Sequence, residues 1–571
     1  MPIPRCGDLA RRRPSLPLCC ALLFALTGPM LAGCGIFTGA TQPLDPALRE
    51  AGWSTDQPDS DQPKPSEKDE KQEPKKPKPR TIWQALRLYR CCLGCPECFQ
   101  EKDKGSGEGS GSGSNHSNGS GSSSGEPRAS AGSGSNASGS GSGSDCADNG
   151  VKKDEEPEVA WFSAHAQSTM VTQYHDHFHS PYLGPNSLLP SERAATTATG
   201  TIFLAARLRD CCDDTTDIVF NPEFSSGSGL SGTKGMAGFP NGEATRAGTI
   251  EPTPYVARLF LRQTWGLGGK QEKVEDDANQ IAGMRDVDRL TVLVGKMSAG
   301  DLVDNNKYSH DPRNQFLNWS LMDNGAWDYP ANARGYSYGI GIEANEECSA
   351  FRYGIFLEPA EANSPAFDSQ IMKALGEVWE WEDRWKIGEH PGAIRYLAYL
   401  NHAHMGKYRD ALALAPVNPD ITTTREYRIK YGFGINFEQE LTKDLGVWAR
   451  WGWNDGQSES WAFTEIDNTV AAGLALKGRR WCRPGDTVGL ALVSNGLSDA
   501  HMDYLAASGV GFIVGDGALN YAREDILETY YDFEFKKGIH FVLDLQGVEH
   551  PAYNADRGPL VVWSMRAHFE F

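Results

Sequence analysis

Residues Tyr427–Asn454 read YRIKYGFGINFEQELTKDLGVWARWGWN. On an extended chain, Tyr427, Ile429, Tyr431, Phe433, Ile435 and Phe437 fall on one face, and Arg428, Lys430, Gly432, Gly434, Asn436 and Glu438 on the other. After Leu441–Gly446 the alternation resumes, with Val447, Ala449, Trp451 and Trp453 opposite Trp448, Arg450, Gly452 and Asn454. A period of two marks a strand, and two such runs joined by a short polar turn predict a hairpin. One face is large and apolar; the other carries charge and glycine. A soluble sandwich and a lipid-facing barrel both alternate in this way, so the rest of the chain has to separate them.

The same pattern recurs on both sides. Thr529, Tyr531, Phe533 and Phe535 oppose Tyr530, Asp532, Glu534 and Lys536; Lys537-Gly538 turns the chain, and Ile539, Phe541, Leu543 and Leu545 oppose His540, Asp544 and Gln546. The last stretch, LVVWSMRAHFEF from Leu560 to Phe571, puts Val561, Trp563, Met565, Ala567, Phe569 and Phe571 on one side. Upstream, Trp161 to Thr172, Thr199 to Arg209 and Tyr255 to Trp265 read as strands. So does Tyr336 to Ala344, with Tyr336, Tyr338, Ile340 and Ile342 sharing a face.

Composition narrows the class. Net charge is −20, from 75 acidic and 55 basic residues, which argues against a nucleic-acid partner. The 15 Trp and 19 Tyr suit the aromatic girdles of a membrane barrel. Arg5, Arg11, Arg12 and Arg13 precede a short apolar core, Leu16 to Leu31, so residues 1–33 read as a secretory signal peptide. Leu31-Ala32-Gly33-Cys34 resembles a bacterial lipobox, which predicts lipidation of Cys34. Beyond it no run of about 18 apolar residues occurs, so no helical span is expected.

Residues 34–155 read as a disordered extension in the periplasm. QPKPSEKDEKQEPKKPKPR is too hydrophilic to bury a core. Cys91, Cys92, Cys95 and Cys98 have a metal-site spacing, but their flanks predict no frame to hold ligands, and they are read as thiols or disulfides of a variable tail. Lys104 to Ser144 is a Gly/Ser tether. From residue 156 to 571 the character changes to long alternating segments, with short turns and long polar loops in succession and Tyr and Trp near segment ends. Strands of roughly 9–11 residues match a tilted span. An exported membrane protein without helical spans must close a barrel to satisfy its backbone. About 415 residues at this spacing predict an all-β antiparallel transmembrane β-barrel of 16 strands.

Blocks along this region resemble the carbohydrate-selective outer-membrane porin family (the OprB type). They include Tyr182–Leu188, Asn221-Pro222-Glu223, Gly229-Leu230-Ser231, Gly238–Ala244, Ala257–Thr264, Ser309–Phe316, Trp327–Ala331, Arg334-Gly335-Tyr336 and Tyr431–Gly456, in family order from about Trp161 to Phe571. The resemblance implies passive diffusion of mono- and small oligosaccharides through a 16-stranded barrel, narrowed by inward loops with basic and aromatic lining. It does not account for the cysteine cluster, the tether or the lipobox.

Strand parity nominates lining residues. With the tyrosine-rich face toward lipid, Arg258, Arg262, Arg352, Arg395, Arg428, Lys430, Glu438, Trp448 and Arg450 point inward. Arginine offers fixed donors for hydroxyls, and an aromatic face covers the C–H side of a sugar. The long segment Asp304 to Arg334 is expected to fold into the pore, with Asp311, Arg313, Asn314, Trp327 and Asp328 as constriction residues. No catalytic residue, metal or cofactor is called for. The expected partners are carbohydrate solutes, outer-membrane lipid and the barrel-assembly machinery, engaged through the strand ending at Phe571; the sequence leaves homotrimer formation open. Competing readings are a general porin and an envelope-anchoring role for the extension. A third is an enzymatic barrel, since His165, His175, His177 and His179 cluster beside Asp176, but the run lies between the first strand and a Pro-Tyr-Leu-Gly-Pro loop with no nucleophile motif such as G-x-S-x-G, and it reads as a solvated loop.

Overall fold

The computed structural model describes residues 160–571, apart from 212–213 and 244–248. The signal peptide, lipobox, cysteine cluster and Gly/Ser tether expected from the sequence lie outside the described residues.

Alternation of apolar and polar residues produces one closed antiparallel barrel of sixteen strands. In chain order the wall begins with β1 (Phe162–His175), β2 (Ala195–Cys211), β3 (Asp214–Gly227) and β4 (Thr249–Gly266). A small hairpin, β5 (Gln271–Val274) and β6 (Gly283–Asp286), intervenes and stands outside the wall sheet. The wall resumes with β7 (Arg289–Met297), β8 (Ser337–Asn345), β9 (Ser349–Leu357), β10 (Leu375–Ile387) and β11 (His390–Met405). It continues with β12 (Glu426–Glu440), β13 (Leu445–Asn454), β14 (Asn468–Lys477), β15 (Thr487–Gly496), β16 (Glu524–Lys536), β17 (Ile539–Glu549) and β18 (Leu560–Glu570).

Closure joins the two ends of the chain. β1 pairs with β18 from Gln167↔Glu570 to His175↔Val562, and Ala166 and Phe571 exchange both backbone hydrogen bonds at 3.0 and 2.9 Å. No strand edge is left in the wall, so its backbone groups find partners without water. The outward face is the apolar one: Leu492, Leu543, Met565 and Trp563 are 60, 63, 59 and 52% exposed. The strong alternation in β12, β13 and β16–β18 holds as the sequence predicts.

Tyr336 departs from its expected face. It precedes β8, after Gly335 at φ 87°, and turns inward under Arg258 instead of continuing the lipid-facing row of Tyr338 and Ile340. A left-handed glycine resets the direction of the chain, so strand parity cannot be extrapolated across it.

Short connections such as 388–389, 441–444 and 537–538 gather at the end where both termini of the barrel lie; long ones such as 298–336 and 497–523 gather at the other. In outer-membrane barrels the short turns are periplasmic and the long loops external.

Candidate functional site: the lumen and its inward loop

The segment between β7 and β8 crosses the inside of the barrel and is held by wall side chains from several strands. On β16, the Glu528 carboxylate accepts the backbone N–H of Leu317 at 2.5 Å and of Asn318 at 2.9 Å. Asn318 in turn donates to Gln546 of β17 at 2.9 Å. On β13, Arg450 donates to the carbonyls of Leu321 (2.7 Å) and Asp304 (3.0 Å), and Asn436 of β12 donates to the Asp304 carboxylate at 2.8 Å. Glu380 of β10 accepts the Asp304 N–H at 2.7 Å, while Arg566 of β18 donates to the Pro312 carbonyl. Charged and amide groups on the inward face therefore serve first as anchors for backbone that a 39-residue connection would otherwise leave unpaired.

Glycine on the same face makes room for it. A Cβ on Gly434 or Gly452 would run into the Asn324 side chain, and one on Gly446 into the Tyr308 ring. The inward row of glycines in β12 and β13 is the seat of the loop.

The loop covers the wall from β10 round to β18. Among the described residues, two spaces lie on the side of β2–β4 and β7. The first, about 340 Å³, is bordered by Glu223, Tyr255 and Arg258 of the wall, by Asp301, His310, Asp311, Arg313, Asp323 and Arg334 of the loop, and by Tyr336. Arg258 pairs with Asp301 at 2.5 Å and lies 5.3 Å from the Tyr336 ring centre; Arg334 lies 4.2 Å over Tyr255, whose hydroxyl donates to Glu223. Arg313 lies 3.3 Å from Glu243 and 3.6 Å from Asp311. Trp319, Tyr329 and Phe463 form an aromatic floor, with Tyr329 and Phe463 stacked at 4.9 Å. Burial pushes the Asp323 carboxyl up to about 6, against the opposing pull of His310 at 3.7 Å.

The nine wall residues nominated by parity divide by what covers them. Arg258 borders the first space; Arg262 and Arg352 border the second, about 210 Å³ in volume. Arg262 donates to Asp217 at 3.0 Å, and Arg352 pairs with Glu343, Glu380 and Glu382 at 2.8, 2.8 and 2.6 Å. Arg395 bridges Glu382 and Glu438, both at 3.3 Å, and Glu438 also accepts the Lys307 N–H at 2.7 Å. Arg428 sits at the outer end of β12 beside Glu426 and Asp410. Lys430, Trp448 and Arg450 are sealed between wall and loop: Lys430 lies 3.4 Å from Asp328, and Trp448 packs edge-on against Phe316. Of the loop residues, Asp311 and Arg313 border the first space, Asn314 is half-buried, and Trp327 and Asp328 are fully buried. Asp328 accepts the N–H groups of Trp461, Ala462 and Phe463, locking one inward loop to another.

Sequence reasoning passed over Tyr255, Glu223, Glu243 and Arg334. Tyr255 escaped because the β3–β4 register shifts at Asn221/Pro222, so that Tyr255 and Arg258 share the inward side despite their odd spacing. Gly335-Tyr336-Ser337-Tyr338-Gly339 matches G-x-S-x-G, yet Ser337 is fully buried and its hydroxyl donates to the Leu357 carbonyl at 2.7 Å. That serine holds β8 to β9.

The carbohydrate-selective porin family model (OprB family) matches residues 214–571. The chain belongs to the OprB family. Like OprB porins it is an outer-membrane β-barrel, and the family points to a channel rather than an enzyme. Among solved structures, the high-pH structure of Pseudomonas putida OprB is similar in fold, with 16% identity, a TM-score of 0.51 and coverage of 72% of this chain and 94% of that one. The outer membrane channel DcaP of Acinetobacter baumannii also matches, at 8% identity and a TM-score of 0.39, covering 74% of this chain and 99% of that one. No curated protein sequence matches the chain.

Proposed function

We propose that the protein lets mono- and small oligosaccharides diffuse passively across the outer membrane, and that the space between Arg258, Arg313, Arg334 and the aromatic floor is the selective constriction. The observation that carries this reading is the pairing of each arginine there with a carboxylate or an aromatic ring: Arg258 with Asp301 and Tyr336, Arg313 with Glu243, Arg334 with Tyr255. Charge-compensated pairs present donors and acceptors together, which is what a neutral polyol needs when it sheds water. An unpaired cation would favour an anion instead. Binding of this kind is weak and reversible, so flow follows the concentration gradient.

Single-channel conductance in a planar bilayer, titrated with glucose, maltose and a sugar acid, tests the reading. Saturable block by a neutral sugar supports it. Open conductance without block would reduce the protein to a general porin, and absence of conductance would overturn the channel.

A further inference from the structure

The β5–β6 hairpin is not part of the wall, and it lies at the end of the barrel where the other connections are short. It folds back into the mouth. Asn279 at its tip accepts from Arg262 of β4 at 3.1 Å and, through its side chain, from Asn221 of β3 at 2.7 Å. Asp276 lies 3.4 Å from His165 of β1, and Ile281 is buried. All three wall partners are inward-facing, so the hairpin roofs the second space from the periplasmic side.

Five arginines border that space: Arg207, Arg262, Arg285, Arg289 and Arg352. Each has a carboxylate partner. Asp217 takes Arg207 and Arg262, both at 3.0 Å; Glu272 of the hairpin takes Arg285 at 2.7 Å and Arg289 at 3.0 Å; Glu343 takes Arg352 at 2.8 Å. Leu293, Leu302 and Met284 add an apolar side. Asp301 borders both spaces, which places them on either side of a single residue.

From this juxtaposition we infer a second saccharide subsite, built by the hairpin on the wall arginines and placed in series with the constriction, which takes a neutral polyol and lets a short oligosaccharide occupy both spaces at once. The inference rests on the sugar-porin reading above. Neutral solutes are favoured because the guanidinium charges are already met by carboxylates, while their remaining N–H groups and the carboxylate oxygens still offer hydrogen bonds.

The test is single-channel block of the full-length protein by glucose and maltotriose, in the native chain and in the double variant Gln280→Ala, Arg285→Ala, whose side chains belong to the hairpin alone. The native channel is expected to bind maltotriose more tightly than glucose, and the variant to lose about tenfold in maltotriose affinity, with a smaller loss for glucose. Equal losses for both sugars, or none, overturn the second subsite. Absence of block by either sugar in the native channel overturns the sugar-porin reading itself, a separate outcome. Glu272→Gln provides an independent readout: it removes the carboxylate partner of Arg285, while Arg289 keeps Glu343 at 3.7 Å, and is expected to tighten block by a hexuronic acid. Unchanged block by the acid also overturns the proposal.

Discussion

Arg450 on β13 and Asp304 at the root of the inward loop lie 3.2 Å apart, with side chains 1 and 2% exposed. The pair joins wall to loop inside the barrel, where neither charge has water to fall back on. Removing one partner strands the other, at a cost of about 3–5 kcal/mol. Arg450→Ala is expected to lower the thermal unfolding temperature and to raise single-channel conductance as the loop loosens. Unchanged conductance with a lowered unfolding temperature would show that the other anchors, Glu528 and Glu380, hold the loop without it.

Gly452 gives way to Asn324, so bulk there should push the loop off its seat. Gly452→Leu is expected to destabilise the protein by about 1–3 kcal/mol and to alter conductance in the same measurement. A variant with native stability and conductance would mean the loop does not rest on β13.

Arg258 offers its guanidinium to the first space while held by Asp301. Arg258→Ala removes the donors and leaves an uncompensated carboxylate. Saturable glucose block is expected to weaken about tenfold, while the channel becomes more cation-selective by reversal potential. Unchanged block and unchanged selectivity would place Arg258 away from the conducting path.

Asp323 supplies a pH dependence. Burial holds its carboxyl at about 6, above the ordinary aspartate value of about 3.9. The protonated form is the one the folded state favours. Its contribution to stability is therefore fully present below about pH 3.9 and is lost as pH rises through about 6. The same rise puts a negative charge on the lining of the first space. Cation selectivity is expected to climb between pH 5 and 7, with Asp323→Asn abolishing that step. A selectivity curve identical in the variant would assign the titration to another group.

Leu543 stands on the outward face of β17, 63% exposed. Against lipid, Leu543→Arg should cost about 2–4 kcal/mol near the midplane, measured as a loss of folding into phospholipid vesicles. Folding with native yield would show that this face does not meet hydrocarbon.

The barrel was legible because its information is local. The alternation of Tyr431, Phe433 and Ile435 with Gly432, Gly434 and Asn436 needs only the two-residue period of a strand, and a hydrocarbon exterior demands that every strand obey it. The same period told which side of β13 carries Trp448 and Arg450. Parity could say that these two point inward; it could not say that Phe316 and Asp304 cover them, because those contacts cross more than a hundred residues of chain. Tyr255 and Tyr336 were hidden by a register shift and by a left-handed glycine, each of which breaks the period where it is being read. The β5–β6 hairpin, with four residues in each strand, was too short for its pattern to rise above that of a turn. The sequence by itself determined the barrel and the polarity of its two faces. Which inward side chains remain open to a solute was decided only when the loop and the hairpin closed over the rest, since that depends on packing between segments far apart in the chain.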